Sequence, residues 1–203
     1  MAKKIVAIVG TYRKGRVIDT AVDEILKGAQ AHGAQTTKIY LIDKHIEFCA
    51  NCRQCAQEKD AGRRGKCRHN DDMDQILREV DEADALVLAS PTNFFNVTAV
   101  TRRFIERLLP YSYWPWTAKM GPKLRIKKPD KKAVIVTSTA CPAFLARLLI
   151  RGPLRALKIA ARCMGAKVGQ TLYFGAVAQS PDATLDQKSL ARAYRAGEKL
   201  AHG

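Results

Sequence analysis

Short apolar runs alternate with longer amphipathic stretches along the 203-residue chain. Five of the runs are rich in Val, Ile, Leu or Tyr and end in Gly, Pro or polar residues, which is typical of buried strands. They cover residues 3–10, 36–43, 85–93, 133–139 and 167–175. Between and after them, apolar residues recur at the spacing of one helix face, at 19–33, 70–84, 96–110, 143–164 and 184–201.

Signals at the ends of these helical stretches set their predicted bounds. Asp19 and Asn96 are predicted N-caps, because short polar side chains accept hydrogen bonds from the first free backbone N–H groups of a helix. Pro110 is predicted to end the helix that Asn96 begins, since proline lacks the N–H that a helix interior needs. The sequence Arg-Gly-Pro at 151–153 predicts a break in the fourth helical stretch.

The order of these elements predicts an α/β fold built on a parallel sheet with right-handed crossovers. The length favours a single domain over residues 1–203, with a Cys-rich loop at 44–70 and a basic aromatic insertion at 111–132. Ligands of such sheets bind beyond the carboxyl ends of the strands. The segments expected at that edge are 10–20, 44–70, 90–96 and 138–143.

The composition is that of an ordinary globular domain, with 47% hydrophobic and 27% charged residues. The apolar run near the N-terminus is too short for a signal peptide, and no run approaches about 18 residues. We therefore expect a cytoplasmic protein. Because thiols stay reduced in that compartment, clustered cysteines favour metal or redox chemistry over disulfides.

The chain carries a formal net charge of +16, from 35 Lys and Arg against 19 Asp and Glu. Such a surface attracts anions, which include nucleic acid, anionic lipid and phosphorylated cofactors. A basic surface without a dedicated macromolecular ligand is the favoured interpretation. A nucleic-acid-binding role and a contact with a membrane surface are the less favoured ones.

The loop after the first strand, GTYRKGRVIDT, has the composition of a phosphate-binding loop. Gly15, the hydroxyl of Thr11 and the nearby helix N-terminus suit a bound phosphate. Arg16 and Val17 stand where a nucleotide P-loop has Lys and Ser or Thr, and Val cannot ligate magnesium. The absence of both residues excludes a P-loop NTPase and leaves a simpler phosphate-binding loop.

The loop after the third strand, SPTNFFN, has the composition of a site for a flat ligand. Pro91 is predicted to turn the chain outward, and backbone groups around Thr92 and Asn93 are placed to bond the edge of a heterocycle. Phe94 and Phe95 are placed to pack against a ring. The alternative is that the two Phe side chains belong to the core.

The third candidate is the Cys-rich loop. Its spacing is Cys49-x2-Cys52-x2-Cys55, followed by eleven residues and Cys67. Three cysteines at this spacing match a cluster-binding run, and iron–sulfur ligation requires four converging thiolates. Bare thiols and a zinc ion are the alternatives. The Lys and Arg residues between the third and fourth cysteines are predicted to offset the negative charge of a cluster.

The basic aromatic insertion and the fourth helical stretch combine cations with apolar side chains. The insertion holds Tyr111, Tyr113, Trp114 and Trp116, followed by lysines and arginines. Such aromatics stack nucleic-acid bases, lie at membrane interfaces or build protein contacts. A lid over the site or a contact between subunits is the favoured interpretation.

Together these loops resemble the flavodoxin-like NADPH-dependent FMN reductase family, including its iron–sulfur flavoprotein branch. The resemblance rests on "GTYRKG", "CANCRQC…GKCRHNDDM" and "EADALVLASPTNFFNVTAVTRRFIER", and it continues more weakly through "KKAVIVTST". It implies a flavodoxin-like, doubly wound, five-stranded parallel sheet of strand order 2-1-3-4-5 with helices on both faces.

The resemblance also implies roles for particular residues. Thr11, Arg13 and Thr20 would hold the phosphate of FMN. The isoalloxazine ring would lie against the second loop, and the loop after the fourth strand would close the far side. The residues so implied are Pro91, Thr92, Asn93, Phe94, Phe95 and Asn96 for the second loop, and Ser138, Thr139 and Cys141 for the last.

The activity implied is an FMN-dependent NAD(P)H oxidoreductase that passes hydride or electrons through flavin to a small-molecule or protein acceptor. The first alternative is an electron carrier with a [4Fe–4S] cluster at the four cysteines of the loop. The second is a basic nucleic-acid-binding module with a structural zinc. A homo-oligomer, dimer or tetramer, is also expected, and no catalytic side chain is assigned.

Overall fold

A five-stranded parallel sheet lies at the centre of the protein, whose computed structural model describes residues 2–202. The sheet order is β2-β1-β3-β6-β7, and every neighbouring pair is parallel. Counted among themselves these strands follow the order 2-1-3-4-5, which confirms the predicted fold class. In chain order the strands are β1 Lys4–Val9, β2 Gln35–Tyr40, β3 Ala85–Ala89, β4 Ser112–Tyr113, β5 Lys123–Leu124, β6 Lys131–Ser138 and β7 Ala166–Phe174.

Helices cover both faces of the sheet, as predicted. They are α1 Val17–Gln30, α2 Met73–Glu82, α3 Ala99–Glu106, α4 Ala143–Leu149, α5 Gly152–Cys163 and α6 Gln187–His202. α2, α3 and α5 pack on one face, and α1 and α6 on the other. The predicted break of the fourth helical stretch is confirmed between α4 and α5. Within residues 2–202, none of the helices combines the length and apolar character that crossing a membrane requires.

The central strands are apolar on both sides because each side faces a helical layer. In β1, Val6 and Ile8 pack with the α2 side, whereas Ile5, Ala7 and Val9 pack with the α1 side. This alternation follows from the two-residue period of a strand. It explains why the sequence shows unbroken apolar runs at β1 and β3.

α1 and α6 approach each other closely through two glycines. A Cβ at Gly197 would lie 1.8 Å from the carbonyl oxygen of Ile25, and one at Gly28 would lie 2.1 Å from that of Tyr194. Either side chain would force the helices apart. The contact therefore depends on glycine at both positions and fixes α6 against the sheet.

Two predicted helix starts are wrong. α1 begins at Val17, so Asp19 lies inside its first turn instead of capping it. α3 begins at Ala99, and the hydroxyl of Thr98, not the side chain of Asn96, accepts the N–H of Thr101 at 3.4 Å. The Asp19 side chain instead bonds the loop after β1, and the Asn96 Oδ1 accepts the N–H of Val97 at 2.9 Å.

Candidate functional site

A cavity of about 280 Å³ opens at the carboxyl ends of the strands. Its wall is formed by the loops after β1, β3, β6 and β7 together with the start of α1. This is the edge at which parallel α/β sheets bind ligands. The lining residues are Thr11, Tyr12, Arg13, Arg16, Val17, Ile18, Pro91, Thr92, Asn93, Ser138, Thr139, Ala140, Val177, Ala178 and Ala183.

The loop after β1 places cations and the N-terminus of α1 at one end of this cavity. The Thr11 hydroxyl accepts the N–H of Arg13 at 3.1 Å, which closes a tight turn. Val17 and Ile18, the first two residues of α1, line the wall. The N–H groups of a first helical turn have no partner within the helix, and they favour an anion. This end of the cavity is therefore suited to a phosphate.

The side chain of Asp19 fixes the conformation of the loop after β1. Its carboxylate accepts the N–H of Gly15 at 2.6 Å and the hydroxyl of Tyr40 at 2.8 Å, and it pairs with Lys38 at 2.5 Å. Burial opposes its ionisation, but these three donors outweigh burial, so the pKa of Asp19 lies below its usual value. The carboxylate is a structural support whose charge Lys38 balances.

Hydrogen bonds tie the loop after β1 to α3. The Thr98 hydroxyl donates to the carbonyl of Gly10 at 2.5 Å and lies 2.8 Å from the hydroxyl of Thr101. A Cβ at Gly10 would lie only 1.7 Å from that Thr101 oxygen. Glycine is therefore needed where the loop leaves β1.

The loop after β3 forms the opposite wall. The N–H of Thr92 donates to the carbonyl of Ser138 at 2.8 Å, which joins this loop to the end of β6. The Thr92 hydroxyl is buried and has no hydrogen-bond partner in the described part of the chain. Buried hydroxyls are usually paired, so an unpaired one beside a cavity is a feature expected of a ligand site.

Asn93 to Asn96 form a tight turn at the rim of the cavity. The backbone N–H and carbonyl groups of Asn93 and Asn96 bond each other at 2.8 and 2.9 Å. Phe94 and Phe95, between them, have left-handed φ angles of 43° and 63°. Their rings stand in solvent, 98% and 68% exposed. The alternative assignment of these two rings to the core is therefore wrong.

The cavity brings together part of the predicted flavin set. Thr11, Arg13, Pro91, Thr92, Asn93, Ser138 and Thr139 line it. Thr20, Phe94, Phe95, Asn96 and Cys141 are not among its lining residues; the Thr20 hydroxyl donates to the carbonyl of Arg16 in its own helix. The sequence analysis did not name residues 177–183, which also contribute to the lining. They could have been found, because they follow the carboxyl end of β7 and ligands of parallel sheets bind beyond the carboxyl ends of the strands.

The Cys-rich loop lies beside α2 and α3, and its four cysteines share one neighbourhood. Burial, followed by the nearby thiols of Cys67, Cys49 and Cys52, raises the pKa of the Cys55 thiol to about 11. A Cβ at Gly65 would lie 1.9 Å from the carbonyl oxygen of Cys55. The long segment after Cys55 therefore loops back and returns Cys67 to the other three.

A buried ion pair closes this loop. Asp71 and the guanidinium of Arg107 are 2.5 Å apart, with side chains 0% and 2% exposed. Asp71 also accepts the N–H of Glu47 at 2.8 Å, and Arg107 donates to the carbonyl of Glu47 at 2.8 Å. Arg107 further donates to the sulfur of Cys67 at 3.5 Å. One ion pair thus joins both ends of the loop to the end of α3.

The arginines within the loop serve a different purpose from the predicted one. Arg63 pairs with Asp81 and Asp130, and Arg64 pairs with Asp81 and Asp74. Their charges are therefore taken up by carboxylates of α2 and of the approach to β6. The prediction that they offset a cluster charge is not supported by these contacts.

The basic aromatic insertion covers the Cys-rich loop. The Arg53 guanidinium lies between the rings of Trp114 and Trp116, 3.3 and 4.4 Å from their centroids. Such cation–π contacts contribute about 0.5–2 kcal/mol each. The N–H of Trp114 also donates to the carbonyl of Ala56 at 2.8 Å, and Arg125 donates to the carbonyls of Glu58 and Lys59. The insertion therefore packs on the Cys-rich loop, and none of its residues lines the cavity, so the predicted lid over the ligand site is not formed.

The residue types suit an iron–sulfur cluster, since one loop carries four free cysteines, of which Cys55 is buried and the other three are partly buried. As placed within residues 2–202, however, the thiols do not converge, and no group of three or more Cys, His, Asp or Glu side chains forms a ready metal site. Ligation would require the cysteine side chains to turn toward a common point.

Comparisons with known proteins agree with this architecture. The model of the NADPH-dependent FMN reductase family matches residues 3–141. An iron–sulfur flavoprotein of Archaeoglobus fulgidus is 38% identical over 112 residues, 55% of this chain and 48% of the relative. One from Methanocaldococcus jannaschii is 34% identical over 107 residues, 53% of this chain and 52% of the relative. The chain thus spans about half the length of the curated relatives it matches.

Solved structures share the fold at low sequence identity. An NAD(P)H:quinone oxidoreductase from Methanothermobacter marburgensis has a TM-score of 0.72 at 17% identity, covering 100% of this chain and 99% of that one. An FMN-dependent NADH-azoreductase from Bacillus anthracis, solved with FMN, has a TM-score of 0.68 at 15% identity, covering 100% and 98%. The fold is therefore flavodoxin-like. With the family match over more than half its length, the chain belongs to the NADPH-dependent FMN reductase family.

We predict that Asp19→Asn lowers the free energy of unfolding at pH 7 by about 1–3 kcal/mol. The substitution removes the negative charge of the carboxylate that Gly15, Lys38 and Tyr40 all contact. Asp23→Asn is the matched control: Asp23 also contacts Lys38 but is half exposed. Its loss should cost about 1 kcal/mol or less.

The effect of Asp19→Asn should depend on pH. Because the pKa is lowered on folding, the carboxylate stabilises the wild type above the unfolded-state pKa of about 3.9, and this contribution is lost as pH falls through the folded-state pKa. Urea unfolding between pH 7 and pH 3 should show the two proteins converging in acid. Equal losses for Asp19→Asn and Asp23→Asn would contradict the assignment.

Proposed function

We propose that the protein is an FMN-dependent NAD(P)H oxidoreductase. The observation that carries the proposal is the cavity at the carboxyl edge, with a helix N-terminus and cations at one end and uncharged walls from the loops after β3 and β6 at the other. FMN has the same division, a charged phosphate and a flat ring. The family membership and the FMN-bound azoreductase of the same fold support it.

The phosphate of FMN would lie at the N-terminus of α1. There Thr11 and the first N–H groups of the helix supply hydrogen bonds, and Arg13 supplies a positive charge. Arg16 is held by Asp182 from the loop after β7. The main role of Arg16 would therefore be to hold the loop after β7 over the phosphate end of the cavity.

The isoalloxazine ring would lie between the loops after β3 and β6. Pro91, Thr92 and Asn93 form one wall, and Ser138 and Thr139 form the other. The unpaired hydroxyl of Thr92 and the backbone of this loop are the groups available to the edge of the ring. Thr20, Phe94, Phe95, Asn96 and Cys141, which the resemblance also implies, lie outside the cavity, so any contact with the cofactor from them remains a prediction.

Bound FMN would supply the redox chemistry, taking hydride from a reduced nicotinamide and giving electrons to an acceptor. The chain's contribution is to hold and shield the cofactor. None of the cavity-lining side chains in the described part of the chain is a carboxylate or an imidazole. Proton transfer by a side chain is therefore not part of the proposed mechanism, and the walls act by orientation and exclusion of water.

A second part of the proposal concerns the four cysteines. Cys49, Cys52, Cys55 and Cys67 are the residues that would hold a [4Fe–4S] cluster, which would supply one-electron chemistry. The presence of four free cysteines in one loop supports this, as do the names of the curated relatives. Bare thiols are the competing state.

A homo-oligomer is the third part of the proposal. Phe144, Leu148 and Leu149 of α4 are exposed, as are Phe94 and Phe95, and α4 follows the carboxyl end of β6 as the turn at 93–96 follows that of β3. Exposed apolar surface of this extent is typical of an interface between proteins. A second copy of the chain is the proposed occupant, since it would also cover the rim of the cavity.

We predict that Arg13→Ala weakens FMN binding by about 10-fold while leaving riboflavin binding unchanged, since the lost charge faces only the phosphate. Quenching of flavin fluorescence in titrations of the metal-free protein measures both affinities. Lys14→Ala is the matched control, because Lys14 pairs with Asp43 and does not line the cavity. Its FMN affinity should stay close to wild type. A wild-type protein that binds neither flavin would refute the proposal.

We predict that NADPH or NADH bleaches the flavin absorption of the FMN-loaded protein in stopped-flow mixing without oxygen. After reconstitution with iron and sulfide, a broad brown absorption should appear in addition. It should be absent in Cys49→Ser/Cys52→Ser, while bleaching of the flavin persists. Failure of both nucleotides would favour an electron carrier over a reductase. A wild type that stays free of iron would favour bare thiols.

We predict a solution mass that is a multiple of the chain mass in light scattering after size-exclusion chromatography. Phe144→Ser/Leu148→Ser should shift the protein toward monomer, because both side chains lie on the proposed interface. Phe48→Ser removes an equally exposed ring from the Cys-rich loop and should leave the mass unchanged. A wild-type monomer at high micromolar concentration would contradict the proposed contact.

A further inference from the structure

A second cavity, of about 310 Å³, lies between the end of the Cys-rich loop, the start of α2 and the end of α3. It is separate from the cavity at the carboxyl edge, because the two have no lining residue in common. Nitrogen-bearing side chains form much of its wall. They are Arg64, Lys66, Arg68, His69 and Arg107.

Positive charge exceeds negative charge at this second cavity. Among the described residues that line it, Asp74 is the only carboxylate, and Arg64 and Arg78 both pair with it. Lys66 and Arg68 are exposed and have no carboxylate partner within residues 2–202. Their charges are therefore available to an anion from outside the chain.

Two buried nitrogen atoms of the wall have no hydrogen-bond partner in the described part of the chain. They are Nε of Arg107 and Nε2 of His69. The Arg107 side chain is 2% exposed, and its terminal nitrogens donate to Asp71, to the carbonyl of Glu47 and to Cys67. An arginine Nε can only donate, and buried donors are normally paired. Such a donor at a cavity is expected to face an acceptor on a ligand.

The N-terminus of α2 also lies at this cavity. The helix begins at Met73, which belongs to the lining. The aligned peptide dipoles of a helix give its N-terminus a partial positive charge, which favours anions. The helix terminus, the unpaired cations and the unpaired buried donors therefore all favour negatively charged oxygen atoms at the same place.

We infer that this second cavity binds a small oxyanion, the phosphate or carboxylate group of a small molecule. Lys66 and Arg68 supply the charge, and His69 and Arg107 supply the buried donors. Guanidinium groups bond both kinds of anion through paired N–H donors. The volume lies in the range of small-molecule sites. The inference depends neither on FMN at the carboxyl edge nor on any use of the cysteines as ligands.

Inorganic phosphate and succinate are the probes for this site. Each is titrated by calorimetry into the protein without flavin at constant ionic strength. We expect saturable binding of at least one probe, with a dissociation constant of about 1 mM or lower. Tighter binding of phosphate supports a phosphorylated ligand, and tighter binding of succinate supports a carboxylate ligand. A wild type that binds neither probe overturns the inference.

Lys66→Gln/Arg68→Gln tests the location of the site. Both side chains are exposed, so the variant should keep its fold, and loss of two charge-assisted contacts should raise the dissociation constant about 10-fold or more. Lys127→Gln/Lys128→Gln is the matched control, since it removes the same charge from exposed side chains that do not line the cavity. Its affinity should stay close to wild type. Equal losses in the two variants would indicate general electrostatic attraction and overturn the inference.

Two further variants test the buried donors and the identity of the cavity. His69→Phe keeps a planar ring without the nitrogen, and it should raise the dissociation constant about 10-fold while circular dichroism shows an unchanged fold. An affinity equal to wild type would contradict the proposed site. Binding that persists in Arg13→Ala supports the inference. A loss confined to Arg13→Ala would place the anion at the loop after β1 instead and overturn it.

Discussion

The buried ion pair between Asp71 and Arg107 holds the Cys-rich loop to the rest of the protein. Removing one partner of such a pair leaves an uncompensated charge away from water, at a cost of about 3–5 kcal/mol. The start of α2, the end of α3 and the chain around Glu47 must therefore stay together. A long segment with little regular structure becomes a fixed part of the helical layer, and the place where the chain returns to Cys67 is determined by this pair.

The basic aromatic insertion packs against the Cys-rich loop. Tyr111 and Ile126 anchor the insertion in the core beside α2 and α3, while its two short strands form only a small antiparallel pair. The rest of the insertion is held by the Cys-rich loop, through the tryptophan rings that contact Arg53 and the carbonyls that Arg125 bonds. The sheet thus has the candidate site at its carboxyl edge, while the Cys-rich loop and the insertion pack together beside it.

The sequence predicts those parts of the protein that depend on local periodicity. The strands are two-sided apolar runs, and the rule of carboxyl ends placed the cavity loops at 10–20 and 90–96 correctly. Contacts between distant segments were not predictable in the same way. The cation of Arg53 between two rings and the buried position of Arg107 have no local signature, since each looks in sequence like an ordinary surface arginine. Asp19 resembled a helix cap, and only the tertiary contact with Lys38 and Tyr40 reveals its role.

The turn from Asn93 to Asn96 has a consequence for how a flat molecule would arrive at the rim. Phe94 and Phe95 have left-handed backbone conformations, each of which costs about 1–3 kcal/mol. This cost is part of the free energy of folding and does not arise again on binding. Two backbone hydrogen bonds between Asn93 and Asn96 close the turn, so its backbone has little ordering left to lose on association. Release of water from the two exposed rings would then dominate, and such binding should be accompanied by a negative change in heat capacity. The backbone of the rim is in this sense preorganised for contact with a flat ring.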